Sequence, residues 1–434
     1  MIGDFATRPR SFFRWMLLLS AVALLASGQD NQHGKQWIGT WATAAQPPLP
    51  GTPETFRNQT LRFLVHTSAG GSRVRIKISN TYGDQPLMIG GAHIARRTTE
   101  AEIDPAFDHA LKFHGRASTK VPARSMVVSD PVDLAVPSLS DLAISLFLPE
   151  PTQATTYHIT AKQTSYVSTE TGDSTAAVKF PVAKKIHSWP FLTGVDVEAS
   201  PAGAVIVAFG SSLTDGDGST TDTNQRWPDV LSQRLQKEGG RLAEIGVLNE
   251  GIIGNRLLSD SPGKATPYGP ALGEAGLARF ERDVLAQAGV KYVFVALGIN
   301  DIAFPGSLTP LAESVSAESI ISGYRQLIAR AHKKGVRVIG TTNPPFEESF
   351  LEDSKGSKIT FFTPEKESVR QKVNAWILSS KEFDATVDFD AVVRDPSHPA
   401  RILPAYDSGD HLHPNDAGYF ATANAIPLSL FTRH

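Results

Sequence analysis

The sequence has 434 residues with 42 Lys and Arg against 44 Asp and Glu, a formal net charge of −2, so its overall balance excludes a nucleic-acid groove or a basic membrane-binding surface as the expected partner site. At 41% hydrophobic and 20% charged it is too apolar for disorder, and its length suits about two to three domains. The absence of cysteine excludes a disulfide framework, a thiolate nucleophile and any Cys-ligated zinc or iron–sulfur site, so any chemistry must run through oxygen and nitrogen side chains.

Arg8, Arg10 and Arg14 precede an apolar run from Trp15 to Ala26, and Ala26-Ser27-Gly28 supplies the small residues that a signal peptidase prefers. Residues 1–28 therefore read as a secretory signal, because a run of about 12 residues is short of the roughly 20 that span a bilayer. Export to the periplasm or the medium is expected, with no stable membrane anchor.

From Trp37 onward the apolar residues alternate, most clearly in Arg73-Val74-Arg75-Ile76-Lys77-Ile78, which reads as a half-buried strand. Its Arg73, Arg75 and Lys77 stripe is expected to be a solvated face. Comparable runs lie at Leu61 to His66, Ser125 to Val128, Leu142 to Leu148 and Tyr157 to Thr160, separated by Gly, Pro, Asp and Ser clusters. Residues 37–180 are expected to form an all-β sandwich, jelly-roll-like, with Trp37 and Trp41 pinning its first segment. Residues 181–201 show no period and read as a linker.

Beyond it, continuous apolar runs alternate with helical periods. The runs are Ala204 to Phe209, Ile245 to Leu248, Tyr292 to Leu297, Val336 to Thr341 and Ala385 to Phe389; the helices follow Trp227, cover Ile320 to Lys334, and cover Glu365 to Leu378. Strands buried on both faces belong in parallel sheets, so residues 202–434 read as a three-layer α/β/α domain.

In such sheets ligands bind beyond the carboxyl ends of the strands. Four polar clusters fall there: Gly210-Ser211-Ser212-Leu213-Thr214, Asn249 to Asn255, Gly298-Ile299-Asn300-Asp301, and Asp410-His411-Leu412-His413-Pro414. Each alone is ordinary, a turn, a helix cap or a solvated pair. Together they offer the groups that serine hydrolysis needs: a hydroxyl on a tight turn, an imidazole, a carboxylate three residues before it, and donors for an oxyanion. Asp215-Gly216-Asp217-Gly218 is not a calcium loop, since Thr220 and Arg226 stand where an EF-hand needs Gly and Glu.

These four blocks, in this order, resemble the SGNH (GDSL-type) hydrolases over about residues 200–434, and Trp41 with Ile78-Ser79-Asn80-Thr81-Tyr82-Gly83 is similar to the bacterial subgroup with an amino-terminal β domain. The resemblance implies Ser212 as nucleophile, the Ser212 amide with Gly254 and Asn300 as oxyanion hole, His413 as base and Asp410 orienting it. It implies ester hydrolysis through an acyl-enzyme, with no cofactor. The usual Gly-Asp-Ser reads Gly210-Ser211-Ser212 here, which leaves Ser211 as a rival nucleophile. His411 is expected to be a loop or substrate-contact residue.

The expected substrate is a small-molecule or carbohydrate ester, with acetylated carbohydrate foremost; oligomeric state is not readable from sequence. The alternatives are a broad short-chain carboxylesterase or lipase-like arylesterase, favoured if Phe346, Phe350, Phe361 and Phe362 line an apolar groove, and a catalytically inactive carbohydrate-binding protein.

Overall fold

The computed structural model describes residues 34–51, 53–170, 172–263, 268–352 and 356–432. The expected signal segment lies outside these residues. Lys35 to His434 belong to one compact unit.

The first part consists mostly of antiparallel sheets. A four-stranded sheet runs in the order Gln36–Ala42, Leu192–Ala199, Val74–Ser79, Met126–Val128. A six-stranded sheet runs Val182–Ile186, Ser165–Ser168, Gln59–His66, Asp141–Leu148, Gly91–Arg96, His109–Ala110. Alternation in Val74–Ser79 sends Val74, Ile76 and Ile78 into a core shared with Leu61, Phe63 and Ile144 of the other sheet.

Three expectations for this part need correction. Arg75 and Lys77 do not form a solvated face with Arg73. Asp196, fully buried on the neighbouring strand directly opposite Arg75, draws the Arg75 guanidinium to 3.1 Å and the Lys77 ammonium to 2.7 Å. A buried carboxylate needs such partners, and the later half of the chain covers this face through a Lys77–Gln287 hydrogen bond of 3.1 Å. Residues 181–201 carry two strands, Val182–Ile186 and Leu192–Ala199, the second of them interior to the four-stranded sheet. Their alternation is masked because the inward residues Leu192, Val195 and Val197 are offset by an irregularity in register between Leu192 and Gly194. Tyr157 to Thr160 is an irregular segment with a single bridge to Gln46, not a strand.

Trp41 stacks edge-on against Trp189 with centroids 4.9 Å apart, and Arg75 lies over Trp37 at 4.4 Å, so both early tryptophans do fasten the first strand.

The second part holds a five-stranded, all-parallel sheet in the order Ile245–Gly251, Ala204–Gly210, Val290–Ala296, Arg337–Thr341, Ala385–Val387. Ala204–Gly210 is buried throughout, as its unbroken apolar run requires. Helices Trp227–Glu238, Ala317–Lys333 and Pro364–Ser379 supply the crossovers, the first burying Trp227, Val230, Leu231 and Leu235 and stopping at Gly239, whose φ is +78°. The strand order reverses between Ala204–Gly210 and Val290–Ala296, which opens the crevice where such sheets bind ligands. The first strand of the β part crosses the edge strand of this sheet so closely that a Cβ on Gly246 would meet the Gly39 carbonyl oxygen at 2.2 Å. The two parts are therefore in backbone contact.

Candidate active site

Ser212 opens a one-turn helix, Ser212–Asp215, directly after the strand Ala204–Gly210. The turn is tight because a side chain at Gly210 would collide with the Thr214 hydroxyl, 2.0 Å from an added Cβ. The Ser212 hydroxyl lies 2.8 Å from His413 Nε2, and His413 Nδ1 lies 2.5 Å from Asp410 Oδ2. The other Asp410 oxygen accepts the Leu412 and His413 amides at 3.0 and 2.9 Å, which fixes the carboxylate inside the loop that bears the imidazole. An offset of three residues from Asp410 to His413 is thus enough to close a side-chain bond and a backbone bond together.

Burial works against charge on Asp410, but the His413 contact and the two loop amides outweigh it and hold the carboxyl down at about 2. For His413, burial pushes downward, yet the Asp410 hydrogen bond and the nearby Asp217 charge win and raise it above the ordinary value, with Lys162 opposing.

Gly254 sits in the loop after Ile245–Gly251 with φ +68°, and a Cβ there would strike the Leu272 side chain at 2.7 Å. Only glycine holds this backbone without strain. Asn300 is buried in the short helix Ile299–Ala303 and donates through Nδ2 to the Asn255 carbonyl at 3.0 Å, leaving its second N–H for the cleft. Ser212, Gly254, Asn300, Asp410 and His413 all line one cleft, with a volume of about 110 Å³.

Asp217 is the other charged residue of that lining and Tyr268 adds a phenol; the rest is mostly apolar and includes Leu272, Phe304, Leu308, Phe350, Leu351, Phe361 and Leu412. Of the four phenylalanines singled out, Phe350 and Phe361 face the cleft. Phe346 is fully buried and packs against Phe362 at 5.3 Å. Ser211 is fully buried, and its hydroxyl meets no hydrogen-bond partner among the described residues. His411 is turned away from Asp410 and pairs with Asp407 at 2.5 Å.

Two supporting residues had no role in the sequence reading, Asp301 although it stands in one of the four clusters, and Arg279. Asp301 accepts the Leu257 and Leu258 amides at 2.7 and 2.9 Å, and burial pushes its carboxyl up to about 6 against those bonds. Arg279, fully buried, donates to the Gly210 and Glu250 carbonyls and to Asn255 Oδ1, tying the ends of the two strands that precede Ser212 and Gly254. Asp301 was detectable from its place beside Asn300. Arg279 carries no local signal, because its contacts are made across the fold.

The family model for GDSL-like lipase/acylhydrolase matches residues 206–426, just over half of the chain. No curated protein gives a significant match. Similar solved structures include the aryl esterase of M. smegmatis (19% identity, 53% of this chain and 99% of that chain, TM-score 0.39). A carbohydrate acetylesterase from Sinorhizobium meliloti matches at 16% identity, 52% of this chain and 98% of that one, with TM-score 0.39. A GDSL-like lipase from Bacteroides thetaiotaomicron matches at 17% identity, 52% and 87% coverage, and TM-score 0.34.

Proposed function

The chain belongs to the GDSL-like lipase/acylhydrolase family, and on that premise we propose that it hydrolyses carboxylic esters of apolar groups through an acyl intermediate on Ser212. The observation that carries this reading is the continuous Ser212–His413–Asp410 line, at 2.8 and 2.5 Å, at the mouth of an apolar cleft.

Ser212 Oγ gives its proton to His413 Nε2 and attacks the ester carbonyl carbon. The oxyanion takes hydrogen bonds from the Ser212 and Gly254 amides and from Asn300 Nδ2. Collapse expels the alcohol, which takes the proton from His413. Water then gives a proton to His413, attacks the acyl carbon and releases the acid, restoring Ser212. Asp410 keeps Nδ1 protonated, so that Nε2 faces the serine as an acceptor, and stabilises the imidazolium that forms.

Outside the reacting groups the walls of the cleft offer a sugar only Asp217 and Tyr268 as polar partners. An aliphatic acyl chain or an aryl group would bury apolar surface there at about 25 cal/mol per Å². That balance favours apolar esters over acetylated carbohydrate.

The test compares p-nitrophenyl acetate, butyrate and octanoate, phenyl acetate and an acetylated polysaccharide, for wild type and Ser212→Ala, with folding checked by circular dichroism. Expected are turnover that rises from acetate to butyrate and no turnover by the variant. Preferential release of acetate from the polysaccharide would return the carbohydrate reading to first place. Activity surviving in Ser212→Ala would overturn the mechanism, and an inactive wild type that binds glycan would replace it with a binding function.

A further inference from the structure

The β part sends one irregular segment, residues 156–164, against the loop that carries the nucleophile. His158, buried to 1% exposure, places Nε2 2.9 Å from Asp215 Oδ1, while its Nδ1 lies 3.0 Å from the Ala44 carbonyl. Lys162 pairs with Asp217 at 3.1 Å. Gln163 and Thr164 hold Asp222 at 2.7 and 2.6 Å. The stretch from Ser212 to Asp222 is thus gripped at three points by a single segment of the sandwich.

The His158 contact reaches furthest into the site. Asp215 ends the turn that begins at Ser212, and its amide donates to the Ser211 carbonyl at 2.9 Å. Its second carboxylate oxygen accepts the Ile253 amide at 3.2 Å, one residue before Gly254. One buried carboxylate therefore joins the serine turn to the glycine loop, the two backbone segments whose amides flank the reacting carbonyl. Both imidazole nitrogens of His158 face oxygen acceptors. A hydrogen must consequently lie between Nε2 and Oδ1, because two facing lone pairs would repel. His158 is itself braced: its amide and carbonyl exchange hydrogen bonds with Trp189, at 3.0 and 2.9 Å, and its ring leans on the Trp189 indole at 5.7 Å.

We propose that His158 is a positioning residue for ester hydrolysis, through which the β part completes the catalytic centre by fixing Asp215 and, with it, the spacing of the Ser212 and Gly254 amides. This rests on the esterase reading above. The β part is then neither a tether nor only a packing surface. It supplies the outer support of the oxyanion hole, and the loss of a well-placed donor costs rate in the transition state and leaves ground-state binding unchanged.

The experiment uses the full chain and three variants: His158→Phe, which keeps a ring and removes both donors, His158→Gln, which keeps one donor, and Asp215→Asn. Active sites are first titrated with a p-nitrophenyl phosphonate that modifies Ser212 irreversibly, run to completion, so that rates refer to reactive enzyme only. Expected is a fall in kcat of about 10- to 100-fold in His158→Phe with KM within twofold, a smaller fall in His158→Gln, and a double variant His158→Phe/Asp215→Asn no slower than the worse single one. A residue that serves only stability would lower Tm and the titrated fraction while kcat per site stayed at the wild-type level. That outcome overturns the proposal, as does full additivity in the double variant. Should His158→Phe not fold, His158→Gln and Asp215→Asn decide by the same criterion. A wild type with no turnover at all sinks the esterase reading itself, a result distinct from an active wild type matched by its variants.

Discussion

Replacing Arg279 with Met tests how the site is held. The guanidinium is fully buried and makes bonds of 2.9 Å to the Gly210 carbonyl, 2.9 Å to the Glu250 carbonyl, 3.0 Å to Asn255 Oδ1 and 3.1 Å to Asp283, while lying 4.1 Å over the Phe209 ring. Methionine fills similar space and donates nothing. Gly210 keeps the Ile252 amide, the Glu250 carbonyl keeps its place in the parallel ladder beside Gly210, and Asp283 keeps Arg282, so the uncompensated loss falls on Asn255 Oδ1. At about 1–3 kcal/mol for a buried acceptor left without its donor, the variant loses about 1–3 kcal/mol of stability. The assay is urea unfolding followed by tryptophan fluorescence and circular dichroism, with coincident transitions required. Because Asn255 follows Gly254 and its carbonyl receives the Asn300 amide, kcat falls as well, by about 10- to 100-fold in the folded variant. Arg279→Lys keeps the charge beside Asp283 but not the planar fork, and falls between the two. A loss below about 1 kcal/mol with unchanged kcat would refute the reasoning.

Two further predictions concern the reacting groups. In the proposed mechanism the base must be neutral, and His413 is raised above its ordinary value, so the acid limb of kcat/KM is expected to have its midpoint above about 6.5. Asp410→Asn lowers that midpoint and reduces kcat by about 10³- to 10⁴-fold; a wild-type midpoint at or below about 6 contradicts the pairing. The same shifts act on stability with opposite signs. The contribution of Asp410 is complete above the ordinary carboxylate range and lost as pH falls through about 2, whereas that of His413 is complete below about 6.5 and lost as pH rises through its elevated value. Ser211→Ala removes a buried hydroxyl that has no partner among the described residues, so activity stays within about twofold and stability is unchanged or gains up to about 1 kcal/mol. A collapse of activity in that variant would make Ser211 the nucleophile.

Much of this protein was legible in the chain itself. The parallel sheet announced itself because strands buried on both faces must be apolar throughout, and the crevice followed from where those runs ended. The candidate groups were legible for the same reason: Ser212, Gly254 and Asn300 each lie within a few residues of a strand end, and Asp410 and His413 lie within one loop. Strand ends are fixed by local pattern, so residues just past them are brought together by topology alone.

What only the tertiary structure decided concerns faces and partners that one-dimensional periodicity does not encode. Alternation marked Arg75 and Lys77 as lying opposite the apolar core, but not that a buried Asp196 and the second half of the chain would cover them. The strands within 181–201 were hidden by an irregular register, and Tyr157 to Thr160 has a strand's composition without a neighbour to pair along its length. The aim of His158 at Asp215 spans 57 positions and that of Arg279 at Gly210 spans 69. The sequence determines that such side chains exist; which buried acceptors they satisfy is set only when the two parts of the chain pack, since the cost of leaving a polar group unpaired arises at that moment and depends on every neighbour that excludes water.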